Sequence, residues 1–383
     1  MSNKKLFLVF LVIVIFSCTQ KPVGQETFQE ITLIEETEEP PVVYSLTLSA
    51  VGDNLFHETI LRTSLVNGVY DFSPIYTEIR DLVRSADLAF INQETVMAGE
   101  EFGYSGYPLF NTPQSLAQTL VDTGFSIINQ ANNHSMDMGR AGLYATLDLW
   151  ETIDGVTVLG TRKSGASYSL ITRNNITLGF LSYTYGLNGI PLPRGEPNLV
   201  SVINRTRMAE ELKELRPLCD FLIVSMHWGE EYLMEPDSYQ TGLARFLAEH
   251  NVDLIIGHHP HVLQKVELLP RPDGKQTLCF YSLGNFASNQ REKERVLGGM
   301  MAVTFVKEED NHYISDYGLI PVVCHFEPGF ANTKVYPFYS YSEELLEKHH
   351  LQRFGTIDYD FIYSVLWNLN TRLYIYNPFI RKY

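Results

Sequence analysis

The sequence predicts an α/β fold, and three observations carry the prediction. Short apolar runs such as FLIVS (221–225) and VDLII (252–256) alternate along the chain with amphipathic segments at helical spacing. Gly, Pro and Asn punctuate the junctions. Polar residues with ligand or acid–base chemistry stand just where the apolar runs end, which is where an open α/β sheet presents its site.

The chain has 383 residues, 45% hydrophobic and 12% aromatic, ample for a packed core. Its formal net charge of −16 argues against a nucleic-acid binder, which needs a basic face. An anionic substrate must therefore be drawn in locally, by metal ions or a few arginines.

At the N-terminus, Lys4 and Lys5 precede the apolar run 6–16, which is too short to span a bilayer and fits the core of a signal peptide. Ser17–Cys18 then reads as a lipoprotein cleavage site with Cys18 as the acylated residue, an ordinary secretory signal being the alternative. The expected organisation is a lipoprotein signal over 1–18, an acidic tether over 19–43, a main domain over 44–290 and a C-terminal extension over 291–383. That places the protein in a bacterial cell envelope, on a lipid anchor. Cys219, Cys279 and Cys324 are odd in number and lie in apolar contexts, so they read as packing residues.

The first strand, 43–51, ends at Gly52–Asp53. A carboxylate at a buried strand tip requires a partner or a cation. His57 follows, in what reads as the first turn of a helix, where its ring can face the same space. A helix is expected over 73–85, then a strand over 87–91 whose tip carries Glu94. A helix over 115–123 leads to a strand over 125–128 and the loop NQANNHSMD. In that loop Asn133 can present a carbonyl oxygen to a metal while His134 faces a substrate. Capping of the helix 139–152 by Asn133 or Ser135 is an alternative compatible with the first.

Strands are expected over 156–160, 168–172 and 176–183, the last two forming a hairpin. The loop 184–200 has the length of a lid or an excursion over a site, and Arg194 within it is the candidate cationic anchor. Beyond a helix over 206–215, the strand 221–225 ends in MHWGEEY, with His227 at its tip. A helix over 240–250 leads to the strand 252–256 and the turn GHHPHV. There His259 and His261 can aim at one point on a turn that Pro260 stiffens, a surface turn rich in histidine being the alternative. Strands over 262–269 and 276–281 follow, then SLGNF with Asn285. After residue 291 strands are expected over 298–306 and 313–324 and a helix over 345–354.

Five strand tips thus carry Asp53, Glu94, Asn133–His134, His227 and His259/His261. Parallel strands bring such tips to one edge. Two carboxylates, an amide and three imidazoles suffice for two divalent cations, and a thiolate-free N/O set suits Mn, Fe or Zn better than Ca. Two such ions would clamp a phosphoryl group, with His134 as general acid.

The segments GDNLFH, NQET, NNHSMDMG, MHWGEEY, GHHPHV and YSLGNF, in this order over residues 46–290, resemble the bacterial poly-γ-glutamate capsule-synthesis family of CapA type. That family is similar in fold to the calcineurin-like metallophosphoesterases. The resemblance implies a four-layer α/β/β/α sandwich and metal positions at Asp53, Glu94, Asn133, His227, His259 and His261. His259–Pro260–His261 matches the family's Gly-His-x-His ending, with His258 as an extra behind the ligands. His57 stands four residues after Asp53, not two, and Glu94 stands where the phosphatases have an aspartate. Asn132, Asp137, His258, Asn285 and Arg194 are expected behind the ligands or facing substrate. The function implied is a metal-dependent hydrolase acting on a phosphoester, or on an envelope polymer such as polyglutamate. A non-catalytic protein that keeps the metals to bind an anionic polymer is the alternative.

Overall fold

Two sheets lie face to face, because the central strands of each are apolar on both sides. The structure, a computed structural model, describes residues 42–379 except 310, 355 and 356. The expected signal segment, Cys18 and the tether up to residue 41 lie outside the described residues. No helix among the described residues is long and apolar enough to cross a membrane.

The first sheet is eight-stranded. From one edge its order is Ala331–Pro337, Asn311–Glu327, Leu297–Glu308, Val43–Leu55, Leu88–Gln93, Ile127–Asn129 and Thr157–Leu159, with Asn285–Ser288 pairing beside Val43–Leu55. The second is six-stranded: Val266–Pro270, Gln276–Phe280, Leu254–His258, Phe221–His227, Ile176–Thr184 and Ser169–Arg173. Period-2 alternation sorts the side chains. Leu46, Leu48, Ala50 and Phe90 of the first sheet meet Leu178, Phe180, Ile223 and Ile256 of the second in one buried core. On the outer face of the first sheet, Val51, Ala89 and Ile91 pack with Leu116 and Leu120 of the helix Ser115–Thr123. On the outer face of the second, Leu181, Val224 and Ile255 pack with Met208 and Leu212 of Arg205–Leu215 and with Leu243 and Leu247 of Ser238–Glu249. The expected four-layer α/β/β/α sandwich is the one observed.

Some local expectations give way to tertiary contacts. The helix expected over 73–85 is a 3-10 turn, Ser73–Tyr76, and a separate helix, Arg80–Arg84; the buried Tyr76 hydroxyl between them donates to Asn54 Oδ1 at 2.8 Å. The helix expected over 345–354 stops at Lys348. The His349 ring takes the Leu351 amide on Nδ1 at 3.1 Å, a side-chain bond that competes with continued helix. Past residue 291, Leu297–Glu308 runs antiparallel beside Val43–Leu55, from Val43↔Glu308 to Val51↔Met300. Those later residues thus belong to the central sheet.

His325 and His349 are buried there with ring centroids 5.3 Å apart. Burial pushes each imidazole down to about 4. The unfolded chain therefore binds more protons than the folded one from about pH 6.5 down to pH 4. Stability should be complete above that window and fall through it. Denaturant titrations of the parent and of His349→Gln should converge as pH drops from 6.5 to 4; parallel curves would refute the assignment.

Candidate metal centre

Register carries the chemistry to one edge. In the first sheet Asp53 lies beside Asn92 and Asn92 beside Asn129; in the second, Thr184 lies beside His227 and His227 beside His258. The segment 281–285 joins the two tips. The Asp53 amide donates to Gly284 O at 2.9 Å, and the Leu283 amide donates to Gly257 O at 3.1 Å. Gly52 and Gly257 are required here: a Cβ on either would lie 1.9 Å from a carbonyl oxygen, that of Gly284 or of Tyr281.

Asp53 is fully buried. Its Oδ1 accepts from Asn92 Nδ2 at 2.8 Å and lies 3.4 Å from His258 Nδ1. Its Oδ2 lies 3.0 Å from His261 Nδ1 and accepts from the His259 amide at 3.2 Å. Burial opposes this charge, but the bonds and charges of His258 and His261 overcome it and hold the carboxyl well below its usual range. Glu94 is the converse. It is fully buried, and neither carboxylate oxygen has a hydrogen-bond partner. His227 Nε2 and His261 Nε2 each stand 3.7 Å from its Oε1, too far for a hydrogen bond. Without a cation, burial and then Asp53, Glu231 and Asp137 push Glu94 well up, against the pull of His261.

These separations suit an ion: atoms each ~2.1 Å from a shared metal stand roughly 3–4 Å apart. Three sets of donors lie within 4.8 Å of one another: Glu94, His227 and His259; Asp53, Glu94 and His261; Glu231, His259 and His261. His227 and His259 are uncharged as ligands must be, burial pushing His259 down to about 3 and His227 well below its usual value. For His261 burial is outweighed by Glu94 and Asp53, and the ring rises to about 9. Asn133 Oδ1 lies 2.8 Å from His227 Nε2, a member of the first set. The histidine turn is strained. His259 has φ +98° and His261 φ +59°, a conformation that non-glycine residues seldom adopt and that functional sites retain.

Beside this cluster His134 Nδ1 lies 2.8 Å from Asp137 Oδ2, which also accepts from the Phe110 amide at 2.8 Å. That pairing leaves Nε2 for a cavity of about 380 Å³, which His134 lines with His57, Asn133, Asn188 and His261.

A family described as bacterial capsule synthesis protein PGA_cap matches residues 47–290. The chain belongs to this family. It is 28% identical over 253 residues to the "PGA biosynthesis protein CapA" of Bacillus subtilis (strain 168), covering 64% of this chain and 64% of that protein. It is 27% identical over 258 residues to the "Capsule biosynthesis protein CapA" of Bacillus anthracis, covering 64% and 60%. The match thus spans somewhat less than two thirds of each relative. Among solved structures, the calcineurin-like phosphoesterase YfkN from Bacillus subtilis is similar at a TM-score of 0.43 and 12% identity, over 85% of this chain and 100% of that one.

Every expected ligand of this PGA_cap chain lies at the cluster, and the remaining residues sort by contact. Asn132 shapes the loop: its Oδ1 accepts from the His134 amide and its Nδ2 donates to Gln93 O. Asn285 Oδ1 lies 3.1 Å from His261 Nδ1 and orients that ring. His258 stacks on Phe90 behind Asp53. His57 belongs to none of the three donor sets; it lines the cavity edge-on to Phe110, and burial pushes it down to about 4. Arg194 is exposed and is not part of the cavity wall. The 184–200 loop supplies Asn188 and Ile190 to that wall instead. Glu231 was legible only as part of MHWGEEY, and Asn188 carried no sequence signal beyond its loop.

Glu94→Gln should lower bound metal and abolish most of the rise in melting temperature on adding Mn²⁺ or Zn²⁺, a rise worth ~2.7 kcal/mol at a hundredfold excess over Kd. Elemental analysis after desalting checks it; undiminished metal content would remove Glu94 from the ligand set.

Proposed function

We propose that this chain is an envelope-anchored, metal-dependent hydrolase of phosphoesters, acting in the synthesis or processing of a capsule or other envelope polymer such as poly-γ-glutamate. The observation that carries the proposal is Glu94, buried with both oxygens unpaired among His227, His259, His261 and Asp53 and next to the His134–Asp137 pair. Membership of the PGA_cap family and the printed names of the two relatives support the capsule role. Cys18 is the proposed lipid-bearing residue.

Asp53, Glu94, Asn133, His227, His259 and His261 would hold two divalent ions, Mn, Fe or Zn. Bound there, such ions polarise a phosphoryl oxygen and lower the pKa of water. The chain's own residues do the rest. Asp137 holds the His134 Nδ1–H, so the protonated ring gives its Nε2 proton to the departing ester oxygen as the P–O bond breaks; water's oxygen joins phosphorus, and the proton that water sheds restores the ring. A site that only bound polymer would not need this proton donor, which favours catalysis.

The test is turnover of phosphomono- and phosphodiesters by the purified chain loaded with Mn²⁺ or Zn²⁺. Hydrolysis that vanishes on chelation is expected. Metal uptake with no turnover of any ester would transfer the proposal to metal-dependent polymer binding.

A further inference from the structure

A second cavity, of about 420 Å³, borders the candidate metal centre at His259 and has no His134 in its wall. Its wall includes Tyr185, Glu230, Glu231, Asp237, Tyr239 and His259. It shares Glu231 with the first cavity; His259 lines the second and His261 the first, their ring centroids 5.9 Å apart. A phosphorus atom held at the cluster therefore has a cavity for each of two substituents.

The two sides differ in chemistry. Neither wall contains a lysine or an arginine. Arg295 lies over the Tyr232 ring and is paired with Glu292 at 2.8 Å. The second cavity carries three carboxylates, from Glu230, Glu231 and Asp237, and Tyr185 and Tyr239 are 38% and 45% exposed beside them. At its inner end His259 is 3% exposed and its Nδ1 has no partner. A second anionic group entering here meets three like charges in the wall, against the single guanidinium of Arg205 that acts on Tyr239 from outside it. An ammonium group meets carboxylates beside the Tyr185 and Tyr239 rings, the residue types that recognise organic cations.

From these two cavities we infer that the centre takes a phosphodiester whose non-leaving alcohol carries an amine, seated among Glu230, Glu231, Asp237, Tyr185 and Tyr239. The inference rests on the phosphoesterase reading above and names the substrate class for it. It also separates this site from one built for a polyanion.

The experiment uses the full chain loaded with Zn²⁺ and two probes of equal shape, phosphocholine and 3,3-dimethylbutyl phosphate, its isostere without the ammonium charge. Calorimetric titration should show phosphocholine binding about tenfold more tightly. The preference should collapse toward unity in the double variant Glu230→Gln, Asp237→Asn. Asparagine at 237 keeps an oxygen for the Gln240 amide that Asp237 now caps. Equal affinities in the parent, or a preference that survives the double variant, would overturn the cationic subsite. Turnover of p-nitrophenyl phosphorylcholine is scored separately. A binding preference with no turnover of this or any other ester refutes the hydrolase reading and leaves the subsite standing; turnover without the preference does the reverse.

Discussion

A chain carrying His134→Gln is expected to take up metal like the parent and, on the proposed phosphoesterase function, to hydrolyse a phosphodiester ~10²–10⁴-fold more slowly, the span that a positioned general acid contributes. Both halves follow from where His134 sits. It belongs to none of the three donor sets that can hold an ion, so elemental analysis should not register its loss. Its Nδ1 is engaged by Asp137 at 2.8 Å, so Nε2 is the nitrogen that can reach a leaving oxygen in the cavity. Asp137→Asn should give a smaller loss and a displaced pH profile, since the amide no longer fixes one tautomer. The prediction separates two defects that a simple activity assay confuses. A His134 variant that loses both metal and turnover would make His134 a ligand; one that keeps full turnover would take it out of the chemistry.

Gly257→Ala is expected to destabilise the chain by more than the ~1–3 kcal/mol of ordinary overpacking. The added Cβ would stand 1.9 Å from Tyr281 O and 2.4 Å from Tyr281 C. Neither atom can yield cheaply. Gly257 lies between Met226 on the neighbouring strand and the 281–285 segment, and Leu283 donates to its carbonyl. Movement there would displace His258, His259 and Asp53 together, so metal content should fall with stability. Gly274→Ala is the control: it has φ +80° but nothing within 4 Å of its Cβ, so its cost is the ~1–2 kcal/mol of left-handed backbone alone. Denaturant midpoints of the two variants check the contrast, and equal midpoints would show that the 281–285 segment gives way easily.

The sequence by itself determined the layered α/β class and the order of the strand tips. Both are local properties. Strands buried on both faces must be continuously apolar, as 221–225 and 252–256 are, and polar ligands such as Asp53, His227 and His259 cannot lie inside such runs, so they mark the ends. Convergence of those ends then follows from parallel pairing, which needs no detail.

Only the tertiary structure decided the rest, because it depends on residues far apart in the chain. Nothing near Glu231 or Asn188 says that each borders the metal cluster; the fold brings the 228–238 and 184–200 segments over the same edge. Arg194, chosen from the second of these for its charge, lies outside the wall, because a loop's length says that it crosses a site but not which residue turns inward. The residues past 291 look unlike the preceding domain, yet Glu308 pairs with Val43, and backbone hydrogen bonding leaves no mark on side-chain pattern. The glycines at 52 and 257 could be read as turn residues. They are instead the points where a strand tip of each sheet meets the 281–285 segment too closely for a Cβ, a constraint that exists only once that segment is in place.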